Sequence, residues 1–284
     1  MSTSIKEALF EGRKQFSSAG IPGFEVELLL QKILKIDRID LLSQAEKSLS
    51  REELSNYQLW MQRRLKHEPL SYITEERFFY KHQLKVSPDT FIPRPETEIL
   101  VEECLSYLST ISNPNPHILD LCTGSGAVAL SLASARPEVI LDAVDISSSA
   151  LEVAQQNLIN LNLKHRINLY QGDLYHAIPE KKRYDVIVSN PPYIPSQRIP
   201  QLSPEVQSEP VLALDGGRDG LDVIERIIDA GPEWLKLKGM LMIEIDGIDQ
   251  VEPIRKALSK VGFNPIICKN DLAGFPRVMG GYLQ

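Results

Sequence analysis

Two rhythms of apolar residues divide the chain. Over residues 1–73 they recur every three to four positions. Val26, Leu29, Leu30, Ile33 and Leu34 follow the break at Ile21-Pro22-Gly23, and Leu54, Tyr57, Met61 and Leu65 run on until Pro69 intervenes. Each set lines one side of a helix, and Ser50 with Glu53 three residues later makes a capping box ahead of the second. The pattern predicts a small helical bundle over 1–73, with Trp60 as a packing residue. Residues 74–93 carry Phe78, Phe79, Tyr80, Leu84 and Val86 in short segments, which predicts a linker hairpin turning across Lys81-His82-Gln83. From residue 94 to 284, apolar runs alternate with amphipathic stretches, as in an α/β domain whose parallel sheet is wrapped by helices. Strands are predicted at His117–Leu121, Ile140–Val144, Ile167–Tyr170, Val186–Val188, Met240–Ile245, Asn264–Cys268 and Val278–Leu283.

Composition narrows the class. At 284 residues and 43% apolar, the chain suits one medium domain plus a small one. No run approaches the roughly 20 apolar residues that span a bilayer, so no membrane association is expected and a cytoplasmic location is the default. Cys104, Cys122 and Cys268 are far apart with no C-x-x-C pair, and the five histidines are scattered, so neither a disulfide framework nor a metal site is expected. The net charge of −7 is uneven: residues 1–73 carry 11 Lys+Arg against 10 Asp+Glu, and the remainder is at −8. That balance argues against direct nucleic-acid binding. The one basic knot, Arg63, Arg64 and Lys66, reads as a solvated helix face, with a docking surface as the alternative.

The first strand of the larger region, Ile118-Leu119-Asp120-Leu121, breaks into Cys122-Thr123-Gly124-Ser125-Gly126 before a helix-like stretch. Glycine is needed where a backbone must turn sharply and approach a ligand. Such a loop also serves nicotinamide and flavin enzymes. Asp145, at the end of the second strand, can accept both hydroxyls of a ribose or cap the helix that starts near Ser147. Gly172-Asp173-Leu174, at the end of the third, offers a polar group and an apolar cover for an adenine.

Asn190-Pro191-Pro192-Tyr193 follows the apolar run Asp185-Val186-Ile187-Val188-Ser189. Two consecutive prolines fix φ and carry no N–H, so the loop offers carbonyl acceptors beside an Asn amide and an aromatic ring. It is either a proline-rich turn or a cradle for a planar NH2 group, whose hydrogens two acceptors orient while Tyr193 stacks on its face. Adenosine in a crevice at the strand ends, next to a grip for an NH2 group, describes S-adenosylmethionine with its methyl aimed at an acceptor nitrogen.

With these features together, the chain resembles the protein-(glutamine-N5) methyltransferases that modify peptide chain release factors, over nearly its whole length. The resemblance is carried by Val86-Ser87-Pro88, Phe91-Ile92-Pro93-Arg94-Pro95-Glu96-Thr97-Glu98, the 120–126 loop, Ser189 to Ile194, Glu209-Pro210 to Leu214, Gly216 to Leu221, and Asp271 to Val278. It implies a class I S-adenosylmethionine-dependent methyltransferase fold: a Rossmann-like seven-stranded sheet, last strand antiparallel, behind an all-helical N-terminal domain. By position it implies that Cys122, Thr123, Gly124, Ser125, Gly126, Asp145, Asp173, Leu174 and Asn190 hold the cofactor. Asn190, Pro191, Pro192 and Tyr193 would hold the substrate glutamine, with Asn190, Pro191 and Tyr193 in the catalytic roles. Cys122 stands where the family commonly has glycine, and Leu174 where it often has a bulky aromatic.

The expected reaction is an in-line displacement in which the glutamine amide nitrogen of a release factor's Gly-Gly-Gln motif attacks the sulfonium methyl. Asn190 and the Pro191 carbonyl each accept a hydrogen bond from the NH2 group. The helical domain is expected to read a second surface of the release factor. Two other readings fit parts of the sequence: a DNA or RNA amino-methyltransferase, and a cofactor-binding module without turnover. Residues 194–208, rich in Pro, Gln and Ser, form either a mobile lid or a long loop.

Overall fold

The computed structural model describes residues 3–179 and 182–284. In chain order, helices α1 (Ile5–Ser18), α2 (Phe24–Leu34), α3 (Arg38–Ser43), α4 (Arg51–Leu65) and α5 (Leu70–Thr74) precede a hairpin, β1 (Glu76–Phe79) and β2 (His82–Lys85). The larger region then runs α6 (Glu98–Leu108), β3 (His117–Leu121), α7 (Ala127–Ala135), β4 (Ile140–Asp145), α8 (Ser148–Asn160), β5 (Ile167–Gln171) and β6 (Tyr184–Ser189). Two short helices, α9 (Pro204–Gln207) and α10 (Val211–Leu214), lead to α11 (Asp222–Trp234), β7 (Leu235–Glu244), α12 (Ile248–Lys260), β8 (Phe263–Asn270) and β9 (Pro276–Leu283). The chain forms two compact units, Met1–Glu75 with Pro204–Ser208, and Glu76–Ser203 with Glu209–Gln284.

The first unit is a helical bundle around Phe16, Val26, Leu29, Leu30, Leu41 and Ile73, with Trp60 packed partly buried against this core. Ser50 and Glu53 form the expected capping box at α4, and Ser4 with Glu7 forms another at α1. The basic knot is a solvated face only in part: Lys66 is exposed and Arg63 half-buried, but Arg64 is not. Arg64 is buried and pairs with Glu25 at 2.6 Å and with Glu205 of α9 at 3.0 Å, while Arg63 pairs with Glu68 at 2.6 Å. Two carboxylates around one guanidinium offset the cost of taking that charge out of water, and they leave it no free donor face for a partner.

The second unit holds a seven-stranded sheet in the order β5-β4-β3-β6-β7-β9-β8. Strands β5, β4, β3, β6 and β7 are parallel, and β9 runs antiparallel to both β7 and β8. All seven strands read from the sequence are present. Successive residues point to opposite faces as the pleat requires, and along β3 and β6 both faces are buried. Ile118, Leu141, Val186, Val188 and Met240 face one core with α6, α7 and α8, while Leu119, Leu121, Ile187, Leu241 and Ile243 face the other with α11 and α12.

The hairpin departs from its expected geometry. Its turn is Tyr80-Lys81, with Tyr80 left-handed at φ 55°, and His82 and Gln83 lie in the strand, paired with Phe79 and Phe78. It belongs to the second unit, where Asn157 of α8 accepts from the Lys85 N–H at 2.7 Å and donates to the Lys85 carbonyl at 2.9 Å. Residues 194–208 hold two short helical pieces, a 3-10 turn over Ser196–Gln201 and α9.

Candidate active site

The carboxyl ends of β3, β4, β5 and β6 converge on a cavity of about 230 Å³, wholly within the second unit. Cys122, Thr123, Gly124, Ser125, Asp145, Asp173, Leu174, Asn190, Pro192 and Tyr193 all line it. Gly126 and Pro191 do not. Gly126, at φ 83°, opens α7, and a Cβ there would meet Leu130 at 3.1 Å, so its glycine serves helix packing. Pro191 is buried, and no donor among the described residues takes its carbonyl.

One side of the cavity is fixed by backbone. Thr123 N–H donates to the Val144 carbonyl at 2.9 Å, and the two oxygens of Asp145 accept from Gly124 N–H at 2.8 Å and Ser147 N–H at 2.9 Å. The helix cap itself is Ser147, whose hydroxyl accepts from Ala150 N–H. Asp145 therefore binds the glycine loop to its own loop and keeps further lone pairs for a ligand. Burial raises its pKa, and the N–H groups of Ser147, Gly124 and Ile146 oppose that shift. Behind it, Asp120 is buried against the Thr123 hydroxyl (2.7 Å) and Ala129 N–H (3.2 Å), and burial pushes its pKa up to about 7. Gly124 has φ 56°, and a Cβ on it would meet nothing within 4 Å.

The two departures from the family's pattern sit in left-handed backbone, Cys122 at φ 60° and Leu174 at φ 50°. That conformation explains why glycine is common at the first position. Leu174 lines the cavity with a side chain sunk in the core of the α11 and α12 face. Asp173 is already engaged, by Arg226 at 2.5 Å. Arg226 lines the cavity too, and nothing in the sequence pointed to it.

The other side is built around Asn190 to Tyr193. Ile194 bridges to Asp215 in parallel, with its N–H on the Leu214 carbonyl and its own carbonyl accepting from Gly216 N–H, both at 2.9 Å. Gln250 donates to the Tyr193 carbonyl at 3.0 Å and to the Gly220 carbonyl at 3.2 Å. A Cβ on Gly220 would lie 2.1 Å from the Tyr193 oxygen, and one on Gly216 would lie 2.7 Å from the Pro192 oxygen. The glycines of 216–220 thus let a second loop press against the first. Asn190 donates through Nδ2 to Thr97 Oγ1 at 3.1 Å, and the Tyr193 hydroxyl donates to Glu244 Oε1 at 2.9 Å. Burial beside Glu244 raises the Tyr193 pKa well above its ordinary value.

The segment ahead of α6 completes the wall with Phe91, Pro93 and Thr97. Glu209 holds it: its buried carboxylate accepts from Ile92 N–H at 2.9 Å and pairs with Arg94, whose guanidinium lies 4.9 Å from the Phe91 ring centre. Burial raises the Glu209 pKa against the pull of Arg94. Thr97, Glu209 and Glu244 carry no local motif that separates them from ordinary polar residues. Two of them lie in stretches that carry the family resemblance, which was the available signal.

The second unit is thus a class I methyltransferase fold with a cavity at the strand ends. In overall fold it is similar to a methyltransferase from Pyrococcus furiosus (TM-score 0.52, 15% identity, covering 70% of this chain and 87% of that one). It is also similar to a ribosomal protein L11 methylase from Lactobacillus delbrueckii subsp. bulgaricus (TM-score 0.50, 18% identity, 73% and 90%). Residues 7–74 match the family described as PrmC N-terminal domain, and residues 97–203 match the methyltransferase small domain. Among curated relatives, the release factor glutamine methyltransferase of Coxiella burnetii is 40% identical over 277 residues, covering 97% of this chain and 98% of its own length. The proteins of the same name from Thermodesulfovibrio yellowstonii (39%, covering 90% of each) and Geobacter sulfurreducens (37%, 98% and 96%) agree. The chain belongs to the release factor glutamine methyltransferase family. Among the described residues, no helix is long and apolar enough to cross a membrane.

Proposed function

We propose that this chain methylates the side-chain amide nitrogen, N5, of the glutamine in the Gly-Gly-Gln motif of peptide chain release factors, using S-adenosylmethionine, alongside translation in the cytoplasm. The observation that carries the reading is the state of Asn190. Its NH2 group is held by Thr97, so its side-chain oxygen is left as an acceptor in the cavity that the glycine loop and Asp145 also line. Relatives of nearly equal length that bear the release-factor name support the choice of substrate.

The residues present fit the cofactor. Gly124 leaves open space where any other residue would place a side chain, and Asp145 retains lone pairs for the hydroxyls of a ribose. Thr123, Ser125 and Leu174 would complete the hold. When bound, S-adenosylmethionine supplies an electrophilic methyl group. On the acceptor side, Asn190 Oδ1 takes one hydrogen of the glutamine NH2 group, and the Pro191 carbonyl, outside the cavity lining but with no donor of its own among the described residues, is proposed to take the other. They fix its plane and push electron density toward nitrogen, while the Tyr193 ring covers that plane. No strong base is required, because the nitrogen turns acidic only as it gains the methyl and the one proton it then sheds passes to solvent. The helical unit reads a second surface of the factor.

Incubating the chain with methyl-labelled S-adenosylmethionine, a release factor and duplex DNA tests the reading. Label is expected on the factor alone. Label on DNA, or cofactor binding with no transfer to the factor, contradicts it.

A further inference from the structure

Arg226 lines the cavity from α11, a helix that carries neither the glycine loop nor Asn190. On its own helix, Asp222 and Asp229 stand four residues before it and three after it, the spacings at which a helical carboxylate meets a guanidinium. Among the described residues Arg226 pairs with neither. Its Nη2 donates instead to Oδ2 of Asp173, just past the end of β5, at 2.5 Å. The two side chains are 49% and 47% exposed, and a pair so open to water adds little to folding. Stability does not account for it, and both partners line the cavity. The Asp173 backbone is fixed on either side: Gly172 N–H donates to the Asp145 carbonyl at 3.0 Å, and His176 N–H to the Asp173 carbonyl at 3.1 Å. The freedom that remains lies in the carboxylate, whose other oxygen, Oδ1, takes no donor among the described residues.

We propose that Arg226 is a positioning residue for recognition of the cofactor's base: by clamping Oδ2 of Asp173 it keeps Oδ1 as an acceptor for a purine amino group, and so makes the site select adenine over hypoxanthine. This rests on the S-adenosylmethionine reading above. Adenine carries an NH2 group at C6, whereas hypoxanthine carries an oxygen there and an N–H beside it, at N1. A carboxylate free to swing can take the amino hydrogen of the first or the N1 hydrogen of the second. A clamped one cannot follow, so the 6-oxo base leaves Oδ1 facing another oxygen. The guanidinium is a donor only, so with Asp173 removed it suits the 6-oxo base better.

Calorimetric titration of the full chain with S-adenosylhomocysteine and with S-inosylhomocysteine reads this preference without turnover. Wild type is expected to bind the adenine form about tenfold tighter or more. Arg226→Ala should bring the two Kd values within about threefold of each other, because the released carboxylate can serve either base. Asp173→Ala should reverse the preference, and the double variant should show none. Removing Arg226 thus shifts the ratio toward hypoxanthine when Asp173 is present and toward adenine when it is absent. A residue that only supported the fold would weaken both ligands alike and leave the ratio where it was.

An unchanged ratio in Arg226→Ala, a shift of the same sign in both backgrounds, or equal binding of the two ligands by wild type would overturn the assignment. Wild-type protein that binds neither ligand sinks instead the cofactor reading on which it rests.

Discussion

The two walls of the cavity are held in different ways. The cofactor wall is a backbone construction: glycine loop, strand ends and Asp145 are joined through N–H groups that every residue but proline has. The acceptor wall is a side-chain construction: Thr97, Glu209, Glu244 and Gln250, from four separate stretches, hold the loop from Asn190 to Tyr193 and the segment opposite it. A backbone wall tolerates substitution and leaves a compact motif in the sequence. A side-chain wall leaves scattered single residues, each of which matters.

The contrast is sharpest at the residues that face a ligand. Asn190→Ala should lower kcat by roughly 10²-fold or more, with the cofactor Kd within a few-fold, measured by steady-state methyl transfer and calorimetry. A large change in Kd with little in kcat would move Asn190 to the cofactor wall. Gly220→Ala comes next. Its Cβ would meet the Tyr193 oxygen at 2.1 Å in backbone at φ 74°, so the variant should lose about 2 kcal/mol of stability in urea titration and most of its turnover. Asp145→Asn keeps one acceptor oxygen and gives up the other, with the charge. It should weaken cofactor binding about tenfold while kcat at saturating cofactor stays within about threefold. Smallest is Cys122→Gly, which relieves left-handed backbone but gains freedom in the unfolded chain. Stability should change by under about 1 kcal/mol, and the cofactor Kd should fall by less than about threefold.

The same division decides what the sequence discloses. The seven strands were readable because each is an apolar run bounded by turn residues, and alternate positions such as Ile187 and Val188 are buried on opposite faces. The glycine loop, Asp145 and the Asn190 loop were readable because their chemistry is local. Arg64 was not: a guanidinium in a run of basic residues reads as a solvated face until the fold brings Glu25 and Glu205 to it from opposite directions along the chain. Arg226, Glu209 and Glu244 are hidden for the same reason, since their roles are defined by partners 53, 115 and 51 residues away. The hairpin turn shifted from Lys81-His82-Gln83 to Tyr80-Lys81 because Tyr80 takes a left-handed conformation that the sequence pattern does not signal. Ser4 and Glu7 repeat the spacing of Ser50 and Glu53, so that helix start carries the same signature in the sequence.

At the centre of the account is a neutral carboxamide nitrogen as methyl acceptor. The direct test is peptide mass spectrometry on a release factor after incubation with the enzyme and labelled S-adenosylmethionine, beside a factor whose Gly-Gly-Gln glutamine is replaced by glutamate. The account predicts one methyl on that glutamine and none on the glutamate-substituted factor. Methyl transfer of equal extent to both factors would contradict it.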